Sequence, residues 1–318
     1  MSEPTVMAFV MDPIEAVDIE ADTTFALMLE AERRGAQLWY VAPEGIGLRS
    51  GRGPVAQAQR ASVRPEAGNH VTLRPPEEIA LDEADVVWQR TDPPVDEDYT
   101  RTTQMLALCR HAMVLNKPES VLAANEKLFA LNFPELMPPT RVARTIADLE
   151  ATLAELGGEM IVKPLDGKGG EGIFHIRRGD PNVRTIFEVS TAFESRWVMA
   201  QGYIPEVREG DKRILLVDGE VLGAVLRVPA DGESRANFHS GGRASQAGLD
   251  AADERIVATV APRLREEGLF LVGIDVIGGR LTEINVTSPT GIREMSRLDG
   301  IDYPARVIDR VQARLAAR

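Results

Sequence analysis

Phe270-Leu-Val-Gly-Ile-Asp275-Val-Ile-Gly-Gly-Arg280-Leu-Thr-Glu283-Ile-Asn285-Val-Thr-Ser-Pro-Thr290-Gly-Ile-Arg293-Glu294 is the stretch on which the reading of this chain turns. Two apolar runs flank Gly278-Gly279, the mark of two strands joined by a tight turn. Asp275, Glu283 and Asn285 interrupt the runs, and such side chains need partners when buried. Hard oxygen ligands of this kind suit Mg²⁺, which keeps waters and shares its other positions with substrate phosphates. Side chains alternate along a strand, so Glu283 and Asn285 share a face. Asp275 depends on the turn. A two-residue turn, Gly278-Gly279, pairs Ile277 with Arg280 and puts Asp275 on the face opposite Glu283. A three-residue loop, Gly278 to Arg280, pairs Asp275 with Glu283, and a metal site requires this second register. The alternative is an ordinary hairpin whose acids face solvent.

Upstream, Val6 to Met11 is an apolar run of strand length ending at Asp12-Pro13. Phe25, Met28, Leu29 and Glu32 follow at helical spacing, with Asp22 or Thr23 as cap and Gly35 as stop. Leu38–Val41, Asp85–Arg90 and Met113–Asn116 read as further strands and Asp96–Arg110 as a helix, an alternation that indicates a parallel sheet covered by helices. The Gly- and Pro-bearing stretch from Pro43 to Pro76 reads as loop with short strands, for instance around Val71–Arg74. Pro118 opens a helix expected to run from Glu119 to Leu131.

Beyond it, Arg141–Ala143, a Thr145-capped helix, Met160–Pro164, the loop 166–172, Ile173–Arg177 and a helix after Asp180-Pro181 form a small α+β layer. Trp197–Pro205 is another apolar run, and Lys212–Val217 with Val221–Val228 is a hairpin turning at Asp218-Gly219-Glu220. Pro229 to Ser245 has no periodicity, and a loop of that length in a compact domain is usually functional or disordered. Asp253–Glu267 and Tyr303–Arg318 are helical.

At 318 residues, 44% hydrophobic and 27% charged, the chain is expected to hold two or three domains, and no apolar run approaches bilayer length. The N-terminus shows no secretory signal, so a cytoplasmic protein is expected. A net charge of −13 without basic blocks argues against nucleic acid, and anionic substrates must then be held by local cations. The only cysteine, Cys109, reads as a core residue. His70, His111, His175 and His239 lie far apart, and no Gly-x-Ser-x-Gly or Cys-x-x-Cys appears, which disfavours zinc chemistry and serine hydrolysis.

The glycine loop 166–172 lets backbone N–H groups approach an anion closely, yet it matches neither of the two common phosphate fingerprints. Lys127 and Lys163 become phosphate contacts only if they converge on one ligand. Arg213, Arg227, Arg235, Arg243 and Arg293 suit bidentate capture of carboxylates, or else form surface ion pairs.

In order and spacing, Asn125-Glu-Lys-Leu-Phe, Val162-Lys-Pro-Leu-Asp-Gly-x-Gly-Gly170, Gly210-Asp-Lys-Arg213, Asp218-Gly-Glu and Leu281-Thr-Glu-Ile-Asn-Val-Thr-Ser-Pro-Thr290 resemble the ATP-grasp ligases, and among them the bacterial glutathione synthetases. Val10-Met-Asp-Pro-Ile14, Arg90-Thr-Asp-Pro-Pro94 and Val114-Leu-Asn-Lys-Pro118 extend the likeness over nearly the whole chain. The resemblance implies an α/β N-terminal substrate domain with a parallel sheet (1–122), an α+β ATP-grasp lid (123–203) and an ATP-grasp C-terminal catalytic domain (204–318). It implies ATP and one or two Mg²⁺ ions, with Mn²⁺ as a substitute, γ-glutamylcysteine and glycine as substrates, and a homotetramer. Carried over, Lys127, Lys163, Gly167, Gly169 and Gly170 meet the phosphates, Gln201, Tyr203 and Ile204 the adenine, and Asp211 the nucleoside. Asp275, Glu283 and Asn285 hold metal; Arg213, Arg227 and Arg293 act on the dipeptide or acyl phosphate. Asp12 and Arg243 also touch substrate, and 229–243 forms a closing flap. Lys168 departs from the expected uncharged residue of the glycine loop, and Phe238-His239 in the flap is also unfamiliar. Rival readings are another ATP-grasp carboxylate–amine ligase, taking glutamate or D-alanine, and a nucleotide-binding regulator without turnover.

Overall fold

The computed structural model describes residues 4–167, 169–229 and 242–318, and Lys168, Arg235 and His239 lie outside them. Three sheets organise the chain. The first contains β1 (Val6–Val10), β2 (Gln37–Arg49), β3 (Gly53–Val63), β4 (Val71–Leu73), β5 (Glu77–Ala80), β6 (Val86–Gln89) and β7 (Met113–Leu115), in the order β4-β3-β2-β1-β6-β7 with β5 on β3. The strands β2-β1-β6-β7 are parallel, as expected from their helix connections. α1 (Thr23–Arg33) is capped by Asp22, whose carboxylate accepts from the Phe25 N–H, and buries Phe25, Leu27 and Met28.

Two expectations fail here. The 43–76 stretch is not loop with short strands but the body of a long antiparallel pair, β2 with β3, to which β4 and β5 add. Its buried positions include small residues on both faces, Ala56 and Ala58 in one core and Ala61 in the other, and these small side chains give a weak hydropathy signal. The helix foreseen from Glu119 to Leu131 ends early: α2 is Glu97–Leu106 and α3 only Pro118–Ala123. Asn125 stops it, its side-chain oxygen accepting from the N–H groups of Lys127 and Leu128 (both 3.1 Å), a local turn that competes with helix.

The second sheet has the order β10-β9-β11-β8, with β8 Thr140–Ala143, β9 Glu159–Pro164, β10 Phe174–Arg177 and β11 Val198–Gly202. It carries α4 (Ile146–Glu155), capped by Thr145, and α5 (Val183–Ser190). Met160, Val162, Ile176 and Ala200 face those helices; the alternate residues Ile161, Lys163, His175 and Gln201 face the other way.

The third sheet is β14-β13-β12-β15-β16, from β12 (Asp211–Val217), β13 (Glu220–Val228), β14 (Arg243–Gln246), β15 (Leu271–Ile277) and β16 (Arg280–Asn285). Arg243–Gln246, expected as loop, is thus its edge strand, paired with β13. One face packs on α6 (Ala251–Glu266) through Ile214, Ile274 and Ile284. The other joins α7 (Ile292–Asp299) and α8 (Tyr303–Ala316) to the first sheet in one core that contains Phe9, Trp88, Val217, Phe270 and Val307. Asn116, at the end of β7, donates to the carbonyls of Leu271 (2.9 Å) and Val286 (2.7 Å) and accepts from the Leu271 N–H (2.8 Å), locking the N-terminal sheet to the hairpin β15–β16. Cys109 is half-buried, and burial pushes its thiol up to about 12, so it takes no part in chemistry. Among the described residues no helix is long and apolar enough to cross a membrane.

Candidate active site

The hairpin resolves its own ambiguity in a way neither register anticipated. Gly278 and Gly279, at φ +54° and +70°, make a two-residue turn, and Ile277 pairs with Arg280. The odd-length loop is therefore absent. A β-bulge inserts Thr282 instead: Val276 faces Leu281, and Asp275 faces Glu283. The extra residue moves from the turn into the strand, and Asp275 joins Glu283 and Asn285 on one face, with Asn285 Nδ2 3.3 Å from Asp275 Oδ2. The Thr282 hydroxyl donates to the Asp275 carbonyl (3.1 Å), and its own carbonyl lies 3.4 Å from Lys163 Nζ.

Register extends the row across the sheet. Asp275 pairs with Arg213 on β12, and Asp211, two residues before Arg213, pairs with Arg227 on β13. All four side chains meet. Arg213 donates to both oxygens of Asp275 (2.8 and 2.7 Å), while Arg227 donates to Asp275 (2.9 Å) and Asp211 (2.5 Å). Burial raises the Asp275 carboxyl, but the two guanidiniums outweigh it and hold the group well below the usual carboxylate range. Asp211, also buried and only partly compensated by Arg227, is pushed up to about 6.

The second sheet and the segment before it supply the other cations. Lys163 lies 3.4 Å from Glu283, and Lys127 lies 3.7 Å from it while donating to the Gly167 carbonyl (2.9 Å). Both are 4% exposed. Burial lowers the Lys163 pKa, and burial of Glu283 is outweighed by the two lysines, which lower its pKa. Among the described residues four cations thus face three carboxylates, with Asp211 Oδ1 and Arg227 Nε buried and unpartnered there. Such a balance suits an anionic ligand.

Between the sheets lies a pocket of about 130 Å³, lined by Lys163, Asp211, Asp275 and Glu283 at one end and by Ile161, Gln201, Tyr203 and Ile204 at the other. Tyr203 stacks on His175 at 3.9 Å, and Gln201 donates to the Thr140 hydroxyl (2.9 Å). Gly169 and Gly170, at φ +62° and +82°, turn the backbone beside Lys127 as only glycine does without strain. Sequence reasoning missed the wall formed by His175, whose signal was its strand parity with Ile161. It also missed Glu126, whose carboxylate accepts from the N–H groups of Val286 and Thr287 (2.9 and 3.1 Å) and the Thr287 hydroxyl (2.9 Å). Because the Ile284 N–H also donates to the Glu126 carbonyl (3.0 Å), Lys127 is tied to the hairpin.

Other expected residues lie elsewhere. Asp12 lines a second cavity of about 630 Å³ beyond the ends of β1 and β6, its carboxylate accepting from the Asp92 N–H (2.8 Å). Arg293 donates to the Ile19 carbonyl beside that cavity. Arg243 is exposed on β14 and lines neither cavity.

The donor set fits Mg²⁺ in a particular way. Both oxygens of Asp275 are held by arginines, Glu283 has, among the described residues, only long contacts to lysines, and Asn285 stands beside them. Among the described residues no three His, Cys, Asp or Glu side chains converge to form a complete cage. An ion completing its sphere with water and phosphate suits this set.

Comparison with known proteins decides the family. Prokaryotic glutathione synthetase N-terminal domain matches residues 6–121, and prokaryotic glutathione synthetase ATP-grasp domain matches 126–300. The chain belongs to the prokaryotic glutathione synthetases. A glutathione synthetase of Bradyrhizobium diazoefficiens is 46% identical over 312 residues, 98% of each chain, and one of Yersinia pestis is 42% identical over 314, again 98% of each. Among solved structures, D-cycloserine synthetase DcsG shares the fold with a TM-score of 0.66 and 16% identity, over 96% of this chain and 99% of that one. The ATP-grasp ligase PsnB, complexed with a phosphomimetic variant of its minimal precursor, Mg and ADP, aligns with a TM-score of 0.62 and 16% identity over 98% of both. The chain therefore has the ATP-grasp fold behind an α/β N-terminal domain.

Proposed function

We propose that the chain joins γ-glutamylcysteine to glycine at the expense of ATP, forming glutathione, ADP and phosphate. The observation that carries the reading is the excess of buried cations at the polar end of the intersheet pocket, in a chain matching glutathione synthetases along its length. The adenine occupies the end formed by Gln201, Tyr203 and Ile204, with Asp211 beside the nucleoside. Lys127 and Lys163 hold phosphates under Gly167, Gly169 and Gly170. Arg213, Arg227 and Arg293 hold the dipeptide carboxylate and the acyl phosphate, with Asp12 and Arg243 as outer substrate contacts. Mg²⁺, held by Asp275, Glu283 and Asn285, compensates phosphate charge; two ions, and replacement by Mn²⁺, belong to the same reading.

A cysteinyl carboxylate oxygen attacks the γ-phosphorus and ADP leaves; the glycine amine then attacks the acyl carbon and phosphate leaves. Neither step needs a protein nucleophile, because positioning and charge stabilisation lower both barriers. Exclusion of water protects the acyl phosphate, the role proposed for residues 229–243, of which 230–241 lie outside the described residues. We also infer domain limits at 122 and 203, a cytoplasmic location and a homotetramer, the last testable by light scattering. In a coupled assay, ADP release is expected only when γ-glutamylcysteine and glycine are both present. Equal release with another acid–amine pair would refute this substrate assignment.

A further inference from the structure

Glu126 lines neither cavity described above, yet it brackets one of the proposed metal ligands. β16 ends its sheet, and the Ile284 N–H, one residue before Asn285, donates outward to the Glu126 carbonyl (3.0 Å). The strand stops at Asn285, and the N–H groups of Val286 and Thr287 turn to the Glu126 carboxylate, joined there by the Thr287 hydroxyl. All three donors meet one oxygen, Oε1, at 2.9–3.1 Å. One residue thus holds the chain on both sides of Asn285, by its main chain before it and by its side chain after it.

The same residue is the neighbour of Lys127, which stands on no regular element, since α3 ends at Ala123 and the next helical turn begins at Phe129. Asn125 fixes this segment to the glycine loop, its amide donating to Asp166 Oδ1 (3.2 Å) and the Leu165 carbonyl (3.4 Å). A lysine on an irregular segment and an asparagine at a strand end have no common scaffold to set their separation. A misplacement of about 1 Å between such groups can cost on the order of 100-fold in rate. Glu126 supplies the missing tie, because its own backbone carries Lys127 while its oxygens hold Asn285 in place.

We propose that Glu126 is a positioning residue that sets the distance between Asn285 and Lys127, so that Mg²⁺ and the phosphate lysine engage one nucleotide together. The proposal rests on the ATP and Mg²⁺ reading above. Its test is the affinity for ATP, measured by calorimetry with Mg²⁺ and in chelator. In the wild type the metal should tighten ATP binding by about 10-fold or more. In Glu126→Ala that gain should shrink to about threefold or less, and kcat should fall by about 10- to 100-fold. Glu126→Gln still presents an oxygen to all three donors, and it should keep the metal gain and kcat within about threefold of the wild type. A residue needed only for folding would lower the Tm of the alanine variant and leave the metal gain intact, and that result overturns the proposal. So does a wild type whose ATP affinity the metal does not change, or a glutamine variant as impaired as the alanine one. If the alanine variant does not fold, Glu126→Asp, which draws the acceptor back by one methylene, decides: a reduced metal gain is expected, and a wild-type gain overturns the assignment. Failure of the underlying reading gives another result: no ATP binding by the wild type, with or without Mg²⁺.

Discussion

Glu283→Gln should lower kcat by about 100-fold or more while leaving metal-free ATP binding at least as tight as in the wild type. The two effects separate because Glu283 has two roles. Among the described residues its carboxylate is the one acid of the hairpin engaged only by long contacts, 3.4 Å to Lys163 and 3.7 Å to Lys127, and so the one most open to a metal. It also neutralises those lysines. The amide removes a charge that the metal needs, and at the same time frees two cations for phosphate. Turnover with excess Mg²⁺, together with nucleotide binding by calorimetry in chelator, measures both. Unchanged kcat would remove Glu283 from the metal site, and weaker metal-free binding would show that it does not compete with phosphate for the lysines.

Asp275→Asn should be the most destabilising substitution in the site, by about 3–5 kcal/mol, with a fall in Tm on the order of 10 °C. Its carboxylate is the shared partner of Arg213 and Arg227, all three buried, and the neutral amide leaves two guanidiniums facing Asp211 alone. Removing one member of a buried ionic cluster costs far more than the cluster contributes over an apolar replacement. Polyanionic ligands should recover part of the loss, because they supply the missing negative charge. Thermal unfolding with and without ATP is the measurement. A variant as stable as wild type would mean that the arginines find other partners.

Much of this was legible in the chain. The parallel strands β1, β6 and β7 show as apolar runs because both faces of that sheet are covered. The caps Asp22 and Thr145 stand where side-chain acceptors meet free N–H groups. The β2–β3 pair was hidden because alanines hold several of its buried positions on both faces, and α3 was drawn too long because the Asn125 turn overrides helix propensity locally.

The acidic hairpin shows the division most clearly. Sequence alone determined which oxygens are available, that Glu283 and Asn285 share a face, and that two lysines and a glycine loop stand ready for phosphate, since strand parity and residue chemistry are local properties. Only the tertiary structure decided where Asp275 points, because one residue of slip in a strand reverses every face, and the slip sits at Thr282, where the bulge packs against Lys163 of another sheet. It likewise decided that Asp275 meets two arginines and that Glu294 and Arg90 line one cavity, since those contacts join segments far apart in the chain, and no local pattern records them.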